Sequence, residues 1–315
     1  MVAGVVVSGL FLWLATRNVE WSRLLSQLQD VRIAPLAVGI VAALSAVVAM
    51  AYRWHVLLGE TASVSVADTF DFTTIGFLSG LVMPQRLGDL VKVVLLARCA
   101  GASRTSVLGT VLLERLSDVI VLLALAAIFA VTVRLPILLG ASLAMLAVVT
   151  AIVIVVLRFG FSFATRLLSI ARGYLPSAMI DFVEVRVSKL AAGLHALESG
   201  SHFRAALALA ALVWMLSGLS MTAYISAFGL AVPWYAGFLV ILLTNLGGIL
   251  PSSPGSIGVY HYMTVLALKT WTHDSTTALT FAIVTHALAM SLIVSTGLWG
   301  LARQGLSLRA VRGEL

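Results

Sequence analysis

Long apolar stretches separated by short polar segments run along almost the whole chain. A helix of about 20 apolar residues is long enough to cross a bilayer. Stretches near that length predict helices at Met1–Ala15, Ala34–Leu58, Ser106–Val133, Leu135–Leu157, Ala205–Leu230 and Thr276–Leu301. The first is short and has no basic residue before it, so we interpret it as a helix rather than a cleaved signal peptide. The pattern predicts an all-α polytopic membrane protein with about six full transmembrane helices.

Two proline–glycine breaks, one in each half of the chain, interrupt further apolar segments. The first break comprises residues 84–89 and the second residues 251–258. Each joins two shorter legs, which are Asp68–Met83 with Leu87–Ala100 and Pro233–Leu250 with Ile257–Thr270. The predicted hinge residues are Pro84, Gly88, Pro251, Pro254, Gly255 and Gly258. Broken backbone inside a membrane needs protein or water to satisfy its amides, and a matched pair of breaks points to the central site of a transporter.

The basic residues predict how these segments cross the membrane. If both broken pairs return to the side from which they enter, the chain crosses about six times, whereas it crosses about ten times if every leg spans. Re-entry places the basic region 158–204 and both termini in the cytoplasm, as the positive-inside rule requires. The first hairpin then enters from the cytoplasm and the second from the opposite face. The sequence therefore predicts two opposed re-entrant helical hairpins.

Opposed hairpins in the two halves predict an inverted repeat within a single membrane domain of residues 1–315. The first repeat covers about residues 61–157 and the second about residues 205–301, with weak identity but consistent hydropathy, as is usual for such duplications. Residues 158–204 lie between the repeats and carry one helical stripe of apolar side chains. This stripe predicts an amphipathic cytoplasmic connector.

Composition narrows the class of protein. The chain of 315 residues is 61% hydrophobic and only 10% charged, which excludes a soluble domain. We interpret the net charge of +7 as Lys and Arg of cytoplasmic loops, and not as a nucleic-acid-binding surface. A single cysteine excludes an intrachain disulfide and a cysteine-based metal cluster. We expect no metal and no cofactor.

Three charged residues at the first break are candidate ligands for a lipid headgroup. Arg86, Asp89 and Lys92 follow one another at three-residue spacing, so Asp89 can bridge two cations on one helix face. A lone ionised side chain at membrane depth costs roughly 2.5–3.5 kcal/mol. The functional interpretation is a phosphate-binding patch with Arg86 as the forked donor. The alternative is an ion-pair cluster at the interface that fixes the hairpin.

A second charged group lies inside a long helical run. Glu114 and Asp118 share a helix face, and Arg115 reaches Asp118 at three-residue spacing. We interpret the group as a partner layer for Arg86 and Lys92, or as a site that couples a proton or cation. A structural network holding the first hairpin remains an open alternative.

The second break is polar without being charged. Its serines are Ser252, Ser253 and Ser256, and we expect its exposed amides to receive an anionic headgroup. Tyr260 and His286 flank this break and are included among the candidate substrate-binding residues. An intramembrane histidine is more often a packed side chain than a proton carrier, so His286 by itself is little evidence for a functional site.

Two further polar groups have a plainer interpretation. Arg53, Trp54 and His55 lie near the end of a predicted span and are interpreted as an interfacial anchor. Asp68 and Asp71 share a helix face near the start of the first hairpin. They could accept a cation, but we favour a solvated helix entrance.

The string Pro84-Gln-Arg-Leu-Gly-Asp-Leu-Val-Lys, followed by Gly101-Ala-Ser and Glu114-Arg-Leu-Ser-Asp, resembles the membrane-domain family of lysylphosphatidylglycerol synthases. Leu250-Pro-Ser-Ser-Pro-Gly-Ser-Ile-Gly-Val is similar to the second hallmark of that family. The resemblance covers nearly the whole chain and implies a lipid-translocating membrane domain. Two departures weaken the expectation of a lysyl-lipid substrate. The chain ends at Leu315 without a soluble aminoacyltransferase domain, so we expect a stand-alone member, and Tyr260-His261 stands where the family pattern has an acidic residue.

These observations predict a lipid flippase that moves an anionic or phosphate-bearing lipid between leaflets by alternating access. We expect a transporter rather than an enzyme, in a bacterial or archaeal inner membrane, with membrane phospholipids as partners and a homo-oligomer left open. One alternative is a membrane enzyme acting on a lipid-linked phosphate or sugar, which would need clustered histidines or paired carboxylates. Another is a non-catalytic membrane partner that recruits a protein through the connector helix.

Overall fold

The computed structural model describes residues 2–17, 19–20, 27, 29–82, 87–132, 200–248, 252–272 and 274–307, with isolated positions between 144 and 189. All regular elements in these ranges are helical. The α-helices whose bounds lie within these ranges are α1 Val2–Thr16, α2 Ile33–Leu58, α3 Val66–Val82, α4 Leu87–Cys99, α5 Arg104–Thr132, α6 Gly200–Ala227, α7 Ala236–Gly247, α8 Val259–Leu268 and α9 Ser275–Arg303. Short 3-10 turns cover Gly59–Thr61 and Pro254–Ser256.

Of the helices in these described ranges, three are long and apolar enough to cross a bilayer, namely Ile33–Leu58, Ser201–Ala227 and Ser275–Arg303. Shorter apolar helices accompany them, including α7 and most of α1. The predicted all-α polytopic membrane protein is confirmed by these spans. The number of about six full spans stays a prediction, since the predicted helix Leu135–Leu157 lies outside the described residues.

Each predicted broken pair is present as two short helices. α3 has 17 residues and α4 has 13, while α7 has 12 and α8 has 10. All four are shorter than the roughly 20 residues that a perpendicular span requires. Pro84 and Arg86 of the first break, and Pro251 of the second, lie outside the described residues.

Local sequence explains where these helices begin and end. Pro254 opens the 3-10 turn of the second break, and Gly255 and Gly258 then adopt left-handed φ angles of 73° and 89°. Only glycine adopts such angles without a steric cost, so this segment cannot continue as a helix. Asp274 caps α9, because its carboxylate accepts hydrogen bonds from the amides of Thr276 and Thr277.

The chain packs as two compact units. The first comprises residues 1–49, 70–91 and 212–313, and within it α8 packs against α1, α7 and α9. The second comprises residues 50–69, 92–211 and 314–315, and its buried apolar side chains include Leu57, Leu113 and Ala206.

The connector predicted at residues 158–204 lies largely outside the described residues. Its last part, from Gly200, is the first turn of α6. The single domain of residues 1–315 and the repeats at 61–157 and 205–301 stay predictions.

Candidate functional site

Four charged side chains are buried together in the second unit, and we call them the charge cluster: Arg53, Lys92, Glu114 and Asp118. Arg53 donates from Nη1 to Asp118 Oδ1 at 2.6 Å and from Nη2 to Glu114 Oε1 at 3.1 Å. Lys92 Nζ donates to Glu114 Oε2 at 2.6 Å. The exposed fraction is 1% for Arg53, 1% for Lys92 and 3% for Glu114. One glutamate therefore bridges two cations away from water.

Three helices position these groups. Arg53 belongs to the last turns of α2, and Lys92 to α4, the helix that follows the first break. Glu114 and Asp118 are four residues apart on α5, so both carboxylates lie on the same face of that helix. Two positive and two negative charges balance, which is the condition under which buried ions are tolerated.

Trp54 packs beside the charge cluster. Its Nε1 donates to Thr110 Oγ1 at 3.0 Å, and Lys92 Nζ lies 4.5 Å from the centroid of its ring. A cation over an aromatic face is attracted by the ring's quadrupole, and the attraction is larger when both groups are shielded from water. Trp54 therefore supplies Lys92 with a second favourable contact.

Arg115 forms the exposed edge of the charge cluster. Its Nη1 lies 3.4 Å from Asp118 Oδ2, and 48% of its side chain is exposed. Asp118 thus accepts from the buried Arg53 on both oxygens and shares Oδ2 with the half-exposed Arg115. Among the cations of this group, Arg115 is the one that a ligand can reach without unfolding the network.

The structure brings together part of the predicted site. Lys92 and Glu114, which the sequence suggested as partners, form a direct ion pair. Asp89 lies in the first turn of α4 and is partly buried, while Arg86 lies outside the described residues. The interpretation of Arg53 as an interfacial anchor is wrong, because its guanidinium is buried between two carboxylates.

The second break is anchored to α1. The amide of Ser253 donates to Ser8 Oγ at 2.8 Å. A side chain at Gly258 would collide with the carbonyl oxygen of Ser8, so the two backbones touch at this point. No sequence pattern predicts this contact, since Ser8 is an ordinary residue in an apolar helix.

Side chains of α8 and α9 hold the second break from the other side. His286 Nε2 donates to the carbonyl oxygen of Gly255 at 2.9 Å, and the His286 ring stacks on Tyr260 with centroids 4.6 Å apart and an interplanar angle of 17°. The Tyr260 hydroxyl donates to Thr285 Oγ1 at 3.2 Å. His261 accepts the Gly258 amide on Nδ1 at 3.3 Å. Hydrogen bonds and ring stacking from α8 and α9 therefore hold the second break in place.

The expectation that the amides of this break are exposed is wrong for three of them. The amides of Ser253, Ser256 and Gly258 already donate within the protein, to Ser8, to Ser253 and to His261 respectively. The hydroxyl of Ser252 is buried and makes no hydrogen bond to the described residues. These three amides are therefore not free donors for an anionic headgroup.

Asp68 and Asp71 have separate roles. Asp68 Oδ2 accepts from Ser65 Oγ at 2.7 Å while the Asp68 amide donates to that hydroxyl, which caps the start of α3. Asp71 is fully buried, accepts from Gln304 Nε2 at 2.9 Å and lies 3.6 Å from Arg303 Nη1. The interpretation as a solvated helix entrance is wrong for Asp71, whose partners lie at the far end of the chain.

Within the ranges that the structure describes, no group of three or more His, Cys, Asp or Glu is arranged to hold a metal ion. The charge cluster itself has its carboxylate oxygens occupied by guanidinium and ammonium groups. Its chemistry is therefore that of an ion-pair network.

Comparison with known families decides what kind of membrane protein carries this network. Residues 1–297 match the family model described as lysylphosphatidylglycerol synthase TM region. The chain belongs to that family. No curated protein and no solved structure matches this chain. The resemblance stated from the residues is thus confirmed, and this synthase-family membrane region is a multi-pass membrane protein linked by its family to membrane lipids.

Proposed function

We propose that this synthase-family membrane region is a lipid flippase, which moves an anionic, phosphate-bearing lipid between the leaflets of a bilayer by alternating access. The observation that carries the proposal is the charge cluster with Arg115 at its exposed edge. Apolar side chains alone can hold helices together, so a network of ionised groups in a membrane domain calls for a further reason.

The energetic argument concerns the free energy required to place charged side chains inside a membrane domain. A single charge at membrane depth costs roughly 2.5–3.5 kcal/mol on insertion scales. Pairing reduces that cost, but well-packed apolar residues of similar volume often give equal or greater stability than a buried ion pair. Ionisable residues inside membrane domains accordingly tend to mark substrate or ion pathways. The charge cluster fits that description better than it fits a purely structural brace.

Arg115 is the group we assign to the headgroup phosphate. A guanidinium presents parallel N–H donors that match a phosphate in two-point geometry. In the structure its partner is Asp118, which also holds Arg53. An arriving phosphate can take the place of Asp118 on Arg115, since Arg53 keeps that carboxylate satisfied. Lys92 and Glu114 remain buried and hold the other side chains of the charge cluster in position.

Alternating access needs moving parts, and we assign them to the two broken segments. The short legs α3, α4, α7 and α8 support re-entrant hairpins that enter from opposite faces, within an inverted repeat and beside about six spans. Rocking of one repeat against the other would expose the headgroup site to each leaflet in turn while the acyl chains stay in the bilayer. In this proposal both termini are cytoplasmic.

Reconstitution tests the proposal. Purified protein is placed in liposomes with phospholipids that share one fluorescent acyl chain and differ in headgroup, and an impermeant quencher reports the fraction left in the inner leaflet. We expect anionic headgroups to cross faster than in empty vesicles, and faster than a zwitterionic headgroup. Rates equal to those of empty vesicles for every headgroup would overturn the proposal.

A further inference from the structure

Helices α3 and α9 of the first unit meet through glycines. Gly297 and Gly300 are three residues apart, so they lie on one face of α9. A β-carbon added at Gly297 would lie 2.9 Å from the carbonyl oxygen of Thr74, and one added at Gly300 would lie 3.0 Å from that of Asp71. Neither position has room for a side chain. The two helix backbones are therefore in direct contact.

An ion pair continues this contact at the end of α9. Arg303 lies three residues beyond Gly300 on the same face, and its Nη1 is 3.6 Å from Asp71 Oδ1. Gln304 Nε2 donates to the other oxygen of Asp71 at 2.9 Å. Asp71 is fully buried, whereas 42% of the Arg303 side chain is exposed. The carboxylate thus ties the last turn of α9 to the first half of α3.

The opposite half of α9 holds the second break. His286 donates to the Gly255 carbonyl oxygen, and Thr285 accepts from Tyr260. His286 and Arg303 are 17 positions apart, which corresponds to about 25 Å along a helix. One continuous helix therefore connects the Asp71 contact with the second break.

α3 has an equally close contact with the helix after the first break. A side chain at Gly88, in the first turn of α4, would collide with the carbonyl oxygen of Gly76 on α3. α3 itself ends at Val82, directly before residues 83–86. The helices on either side of the first break are thus held at backbone contact, and α3 is held to α9 in the same way.

We propose that α9 couples α3, the helix before the first break, to the second break, and that Asp71 and Arg303 position α9 on α3 for this coupling. The inference rests on the proposed transport function, in which α3 of the first repeat and α9 of the second repeat both take part in the transport cycle. The glycines of α9 lie against the backbone of α3 and its Thr74 and Leu78 side chains, and helices packed this closely transmit a displacement because neither can yield without moving the other. Asp71 and Arg303 are positioning residues and touch no substrate.

A labelling experiment tests the coupling without relying on transport. Ser256 of the second break is replaced by cysteine in a Cys99→Ser background, and its reaction rate with an impermeant maleimide is measured in liposomes. Arg303 lies about 25 Å along α9 from His286, which donates to Gly255, the residue before the probe. Coupling energies between sites are typically 1–3 kcal/mol, so we expect Arg303→Ala to change the labelling rate by at least about fivefold.

Two control variants separate coupling from local damage. Arg303→Lys keeps the positive charge and should restore the parent rate. Trp299→Leu alters α9 one turn away at a side chain that is 63% exposed, and should leave the rate unchanged. A parent-like rate in Arg303→Ala would overturn the inference, as would an equal change in Trp299→Leu.

If Arg303→Ala cannot be recovered folded, Asp71→Asn tests the coupling instead. It removes the ion pair, leaves Arg303 in contact with water and keeps an oxygen that can accept from Gln304, and it should change labelling at position 256 in the same way. A parent-like rate in this variant also overturns the inference. Failure of the wild-type protein to move lipid would contradict the transport proposal instead, whatever the labelling shows.

Discussion

Lys92 Nζ lies 2.6 Å from Glu114 Oε2, and both side chains are almost completely buried. The other oxygen of Glu114 accepts from Arg53 at 3.1 Å. Glu114 is therefore the centre of the charge cluster, with one cation from the helix after the first break and another from α2. Because the charges balance, removal of any one of them leaves an uncompensated charge away from water.

The charge balance predicts that substitutions of Lys92 and Glu114 have non-additive effects on stability. Lys92→Met removes one partner of a buried ion pair, which typically costs about 3–5 kcal/mol, and should lower the apparent melting temperature in detergent. Lys92→Met combined with Glu114→Gln restores neutrality and leaves Arg53 paired with Asp118. The double variant should be more stable than Lys92→Met alone. Equal or lower stability of the double variant would contradict the network as described.

The contact between the second break and α1 predicts that alanine substitutions at two glycines differ in their effect on protein yield. Gly258 and Gly229 both have left-handed φ angles, of 89° and 63°. A β-carbon at Gly258 would collide with the Ser8 carbonyl oxygen, whereas one at Gly229 meets nothing within 4 Å. Gly258→Ala should therefore sharply reduce the yield of monodisperse protein, while Gly229→Ala should show only the smaller cost of backbone strain. Similar yields for the two variants would count against the α1 contact.

The contacts of His286 and Tyr260 predict an order of stabilities. His286→Phe keeps a ring to stack on Tyr260 but deprives the Gly255 carbonyl of its donor, which typically costs about 1–3 kcal/mol for a buried group. Tyr260→Phe removes a hydroxyl whose acceptor, Thr285, still donates to the carbonyl of Phe281. Thermal unfolding in detergent should therefore show a larger loss for His286→Phe. The reverse order would show that the histidine bond contributes little.

The sequence predicted the bounds of two long helices closely because a strong local signal stands at the start of each apolar run. The span expected at Ala34–Leu58 is observed at Ile33–Leu58, next to Pro35, and that expected at Thr276–Leu301 is observed at Ser275–Arg303, after the Asp274 cap. Helix propensity, apolar run length and capping act within a few residues. A single sequence therefore contains the information that fixes these ends.

Contacts across the chain could not be predicted in the same way. Arg53 is 61 and 65 residues from its two carboxylates, and Asp71 is 233 residues from Gln304. A spacing argument detects partners three or four residues away on one helix, such as Arg115 with Asp118. It found that pair and suggested Lys92 with Glu114, but it assigned Arg53 to the membrane interface because the residue stands near the end of an apolar run.

The most direct test of the account is the rate of anionic-phospholipid translocation by Arg115→Gln, measured beside Arg104→Gln. Arg104 is also exposed and begins the same helix, but it is eleven positions from Arg115, so it controls for loss of a positive charge on α5. We predict near-empty-vesicle rates for Arg115→Gln and wild-type rates for Arg104→Gln. Both proteins should be close to the wild type in stability, because both arginines are exposed and Asp118 keeps its hydrogen bonds from Arg53 when Arg115 is replaced. Wild-type translocation by Arg115→Gln would contradict the assignment of the lipid phosphate to the edge of the charge cluster.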